Sequence, residues 1–145
     1  EGEGELGGRL GLGFLVGRFV LPLALVYYFE YSMNQGLAPA LDSPPAPSYA
    51  VYQVCYQVGV LISRSSLLLF RVPLPPWAFA IMQACNAAVL ALRAVRAGWF
   101  PWPARAGLDF AGVVVLAVWE GLVGGAAYGN AFAAVRDAAA GGDVE

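Results

Sequence analysis

The chain has 145 residues, 59% hydrophobic and only 12% charged, with a net charge of -2 and a mean hydropathy of +0.64. Soluble domains carry about 25% charged residues, so this composition disfavours a water-soluble helical bundle and fits a chain whose surface faces lipid. It also excludes a nucleic-acid surface, because no basic stripe is present; the absence of His excludes imidazole-based metal binding, base catalysis and pH sensing.

Residues 1–9, with Glu1, Glu3 and Glu5 among glycines, read as the flexible Gly/Glu-rich end of a linker. Their acidity is the opposite of a signal-peptide n-region. A spanning helix needs about 20 mostly apolar residues, and residues 10–136 hold four such runs. The first is expected at about 10–33, kinked at Pro22. Gly36 to Ser48, with Pro39, Pro44, Pro45 and Pro47, reads as an exposed loop. The second span is expected at about 49–70. Arg71, Pro73, Pro75 and Pro76 then make a tight turn, with Pro76 suited to the first turn of a third helix at about 77–95. Gly98 to Arg105 reads as a loop whose Trp99, Phe100 and Trp102 belong at the headgroup boundary. The fourth span, about 108–135, is long enough to tilt, and 137–145 is a short polar tail. The loop arginines divide evenly between the two sides, so the positive-inside rule gives no orientation. Cys55 and Cys85 stand singly, as small buried residues without metal or disulfide spacing. The fold class is all-α membrane protein, with the bilayer as its principal partner.

Three of the four apolar runs hold a charge well inside them: Glu30, Arg64 and Glu120. A charged side chain at the bilayer centre costs about 2.5–3.5 kcal/mol on insertion scales and usually faces a bundle interior or a wet cavity. Val72 to Leu92 contains none, which predicts that the third helix does not face the pathway. In the second span Gln53, Gln57, Val60 and Arg64 fall at i, i+4, i+7 and i+11, placing the three polar groups on one stripe. That stripe serves either a pathway or interhelical hydrogen bonding. By axial rise, Arg64 and Glu120 are the expected ion pair, whereas Glu30 stands about 20 Å from Arg64 near the opposite face. Glu30, with Asn34 one turn later, is the expected proton-responsive or substrate-facing group, since a carboxyl taken out of water favours its protonated form. An interfacial glutamate is the alternative. Glu120 precedes Gly121, Gly124 and Gly125, with Tyr128 and Asn130 beyond; Gly121 and Gly125 make either a small-residue packing face or a hinge. Ser63, Ser65 and Ser66 have no His partner and no phosphate loop or metalloprotease motif occurs, so neither an enzyme nor a cofactor or metal site is expected.

Val26-Tyr27-Tyr28-Phe29-Glu30-Tyr31 with Asn34-Gln35-Gly36-Leu37 resembles a signature of the battenin family of lysosomal membrane proteins. Tyr56-Gln57-Val58-Gly59-Val60, continuing Ile62-Ser63-Arg64-Ser65-Ser66-Leu67, resembles a second block. Trp119 to Tyr128 with Asn130 resembles a third, so the three blocks span nearly all of Leu21 to Ala134; the third span and the loops match more loosely. The resemblance implies a major-facilitator-like fold of eleven or twelve helices, of which this chain holds the first four of the C-terminal half. The third helix of such a half is peripheral. It further implies a lysosomal or vacuolar membrane and a role in lumenal pH, basic amino acid balance and glycerophosphodiester clearance. The partners would be a small solute, protons and the remainder of the polypeptide. The expected pathway residues are Glu30, Asn34, Gln53, Gln57, Arg64, Glu120, Tyr128 and Asn130. A non-transporting membrane scaffold in lysosomal trafficking is the rival class.

Overall fold

The computed structural model describes residues 11–40, 47–66, 72, 74–99 and 106–139. The linker at 1–9, most of the proline-rich loop, Arg71, the 100–105 loop and the last six residues lie outside the described residues, with the expectations placed on them. Among the described residues all regular structure is helical.

Four helical rods result. The first, α1, runs through residues 12–40 as three α-helical pieces joined by two π-helical segments, Val16–Val20 and Ser32–Leu37. It continues past the expected end at 33, so Gly36 to Ala40 are helical rather than loop. The expected kink at Pro22 takes the form of the first π segment. A wider turn relieves the clash of the proline ring with the preceding carbonyls. The second helix, α2, is Tyr49–Ser66. The third, α3, is Pro76–Trp99 and begins on the proline that fits a first turn. The fourth, α4, is Ala106–Ala139.

Three stretches are long and apolar enough to cross a membrane: Gly13–Ala40, Pro76–Val95 and Phe110–Asp137. Helix α2 is not among them, because Gln53, Gln57, Arg64 and its tyrosines lower its hydropathy. Burial runs opposite to a soluble protein's. Val54, Leu61, Ile81, Val95 and Val115 each expose more than 60% of their surface, whereas Gln83 and Glu120 expose none. Polar groups inside and aliphatic groups outside are the pattern of a protein solvated by lipid.

Helix α2 packs chiefly on α4, and α1 chiefly on α3. The α2–α4 seam runs in one direction. Gly59 lies against Val118 and Leu122, Gly121 against the Tyr56 carbonyl, and Gly125 against Val60 and Ser63. A methyl added at Gly59 or Gly121 would sit 2.2 or 2.1 Å from a backbone oxygen of the opposite helix, so only glycine permits this approach. The two glycines of α4 thus act as a packing face. Two apolar clusters flank the seam. Val26, Phe79, Ala80, Val123, Ala126 and Ala127 join α1, α3 and α4. Met33, Ala38, Tyr52, Leu90, Val113 and Ala117 draw in all four rods.

Candidate functional site

Between the two clusters lies a polar core. Glu30 on α1 is 7% exposed and Glu120 on α4 is fully buried. Each carboxyl accepts a tyrosine hydroxyl from α2: Tyr56 donates to Glu30 Oε1 and Tyr52, one turn away, to Glu120 Oε2. Asn34 ties the two acidic helices together. Its Nδ2 donates to Glu120 Oε1 at 2.8 Å and to the Glu30 backbone carbonyl at 3.0 Å. Gln53 on α2 in turn donates to Asn34 Oδ1 at 2.8 Å. Asn34 sits in the π segment Ser32–Leu37, where the widened turn carries it toward α4. Glu30 Oε2 is buried and has no hydrogen-bond partner. It rests against Gly124, where an added methyl carbon would meet it at 2.6 Å, so the absent side chain of that glycine is the space the carboxyl occupies.

Of the expected pathway residues, Glu30, Asn34, Gln53 and Glu120 therefore converge. The remaining four do not join them. Gln57 is exposed on the outer face of α2, off the inward stripe on which it was expected. Asn130 bonds the Ala126 carbonyl of its own helix at 2.8 Å. Arg64 is exposed and lies over the Tyr128 ring, 5.0 Å from its centroid.

The expected Arg64–Glu120 ion pair is not formed. Glu120 meets α2 at Tyr52, three turns from Arg64 and about 18 Å along the helix axis. Asn34 bonds both the Glu30 carbonyl and the Glu120 carboxyl, and the tyrosines that hold the two acids, Tyr56 and Tyr52, are one turn apart on α2. The expected order is thus reversed: the two carboxyls are neighbours, and along α2 the partner of Glu30, Tyr56, lies nearer to Arg64 than Tyr52, the partner of Glu120. The misplacement of Glu30 came from the first helix. Because α1 continues to Ala40, Glu30 lies about 15 Å inside its end rather than at the edge.

The third helix also departs from expectation. It carries no charge between Pro76 and Leu92, yet Gln83 is fully buried and Asn86 is 7% exposed. Gln83 donates to the Glu120 backbone carbonyl at 3.3 Å and accepts from Asn86 at 2.8 Å. Uncharged is therefore not the same as peripheral here. Tyr52, Tyr56, Gln83 and Asn86 were missed. Gly59 held a usable signal: it marks the packed side of α2, and Tyr52, Tyr56, Val60 and Ser63 lie on that side at helical spacing.

Two buried carboxyls are thus brought together, each contacted by a tyrosine hydroxyl and one of them by the Asn34 amide. A buried charge is costly unless matched. Such a site can take a proton or a positively charged group.

The sequence profile of the CLN3 protein family matches residues 11–144. Protein btn1 of Aspergillus fumigatus is 39% identical over 130 residues, covering 82% of this chain and 26% of that protein. Battenin of Canis lupus familiaris is 39% identical over 119 residues, covering 79% of this chain and 25% of battenin. Protein BTN1 of Candida glabrata is 34% identical over 140 residues, 85% of this chain and 31% of that protein. This chain spans about a quarter of the length of the first two and somewhat more of the third. No solved structure matches it. The chain belongs to the CLN3 protein family.

Proposed function

We propose that this member of the CLN3 family supplies a multi-pass transporter with the carboxyl pair through which it takes up and releases a proton or a cationic group by alternating access. The observation that carries this reading is the convergence of Glu30 and Glu120 from two helices onto adjacent tyrosines of a third, both buried. The membrane is lysosomal or vacuolar in this proposal, as the battenin name among the relatives suggests. The transported solute is a basic amino acid or a glycerophosphodiester, and the balance the protein serves is that of lumenal pH. Helix α2 crosses the bilayer with the other three rods. Its Tyr52 and Tyr56 side faces the carboxyls and its exposed side, with Val54, Val58 and Leu61, faces lipid or the rest of the polypeptide.

Intramembrane acids facing a bundle interior are the usual sites of proton relay. Glu30 is placed to change partners, because one oxygen is bonded and the other is free. Glu120, with both oxygens bonded, anchors α4 to α1 and α2. Full-length protein reconstituted in vesicles with an imposed pH gradient tests the assignment. Glu30→Gln keeps shape and removes the ionisable group; pH-driven flux should be lost while the protein still folds. Undiminished flux would refute the role of Glu30 and favour the scaffold class.

A further inference from the structure

In a π-helical turn the N–H of residue i reaches the carbonyl of residue i−5. At the end of the first π segment the Leu21 N–H bonds the Val16 carbonyl in this way. The next donor in that register would be residue 22, which is proline and has no N–H. The carbonyl thereby left without its helix donor is that of Gly17. Trp77, at the start of α3, donates its indole N–H to this same oxygen at 3.2 Å.

The second π segment repeats the arrangement. The Ala38 N–H bonds the Met33 carbonyl, residue 39 is again proline, and the carbonyl left over is that of Asn34. Gln53 of α2 donates its side-chain amide to that oxygen at 3.4 Å.

We propose that α1 is a jointed rod whose two proline joints are each latched from a neighbouring helix, by Trp77 at the Gly17 joint and by Gln53 at the Asn34 joint. A backbone carbonyl exposed to lipid without a donor is unfavourable, and bends in helices form at proline and at π-bulges. The latch satisfies the carbonyl only while the neighbouring helix stays against the joint. Separation of α3 from α1 frees the first joint, and separation of α2 frees the second. Each half of α1 therefore answers to a different neighbour. The Asn34 latch also bears on the carboxyl pair, since Asn34 holds Glu120. The Gly17 latch touches none of those residues, so it stands or falls independently of the function proposed above.

The Gly17 latch is tested by hydrogen–deuterium exchange on the full-length protein in detergent micelles, following the peptide that covers residues 16–24. Trp77→Phe keeps the ring and removes the N–H. Exchange in that peptide should rise about 3- to 20-fold, the range spanned by single side-chain hydrogen bonds in membrane proteins. Pro22→Ala returns a backbone donor to the joint, and in that background Trp77→Phe should change exchange little. Equal acceleration in both backgrounds, or none with Pro22 present, overturns the proposal. If Trp77→Phe yields no folded protein, Pro22→Ala alone decides: exchange at the joint should slow, and unchanged or faster exchange overturns it.

Discussion

Gly121→Ala isolates the close approach of α2 and α4 from everything else in the bundle. The added methyl carbon would stand 2.1 Å from the Tyr56 carbonyl oxygen and 2.9 Å from the Val60 nitrogen. Both are backbone atoms, so no side chain can swing away. Ordinary contact begins near 3.4 Å, so the two helices must part by more than about 1 Å at this point. Opening a packed interface by about 0.5–1 Å already forfeits a quarter to a half of each dispersion contact. Overpacking costs about 1–3 kcal/mol in general; with rigid obstacles and the Gly59 contact in the same seam, about 3 kcal/mol is expected here. Gly124→Ala first meets the carboxyl end of Glu30, a side chain that can rotate away but loses Tyr56 in doing so, so its stability loss should be about 1–2 kcal/mol while flux falls. Gly36→Ala meets nothing within 4 Å, and should be neutral or stabilising by up to about 1 kcal/mol. Apparent Tm of the full-length protein, read by fluorescence-detected size exclusion, should rank G36A at or above wild type, G124A slightly below and G121A well below. A G121A protein as stable as G36A would show that the seam is not as close as described.

Tyr56→Phe leaves both Glu30 oxygens without a donor and should cost about 1–3 kcal/mol. Tyr52→Phe should cost less, because Glu120 keeps Asn34; the two Tm values decide, and the reverse order contradicts the hydrogen-bond assignment. Simultaneous Arg64→Glu and Glu120→Arg should not restore flux over either single change, given their three-turn separation on α2; rescue by the double variant would mean that they pair after all. Gln83→Leu removes the acceptor of the Asn86 amide and should cost about 1–3 kcal/mol, part of which returns when Asn86 is also made Leu. Full additivity of those two changes in Tm would deny their contact.

Much of the fold was legible because the lipid environment imposes long apolar runs. The starts of α2, α3 and α4 fall within two residues of expectation, and Pro76 opens α3 as its chemistry requires. What misled was punctuation inside α1. Gly36 and Pro39 usually end helices, but here the π turn Ser32–Leu37 absorbs the proline and Gln53 takes up the orphan carbonyl, so the helix continues. That one extension moved Glu30 inward, from a position apart from the other charges to the neighbourhood of Glu120. Counting charges found Glu30 and Glu120 and overlooked Tyr52, Tyr56, Gln83 and Asn86, whose neutral donors and acceptors carry most of the contacts. Of the Gln53, Gln57, Arg64 stripe only Gln53 reaches the site; Gln57 and Arg64 are exposed, and Gly59 marks the face that meets α4.

The 34 residues of α4 make a rod about 50 Å long, against about 30 Å of hydrocarbon. Tilt alone does not hide such a length, since membrane helices lean by at most about 40°, so part of α4 stands outside the hydrocarbon. Its closest contacts, at Gly121, Gly124 and Gly125, lie near its middle and press on α2 and on the Glu30 carboxyl. That makes the helix a lever with its fulcrum at the polar core. From Gly124 to Asp137 the arm measures about 20 Å, so a rocking of about 10° would sweep the far end by about 3–4 Å. A rearrangement confined to one carboxyl would in this way be displayed, enlarged, outside the hydrocarbon.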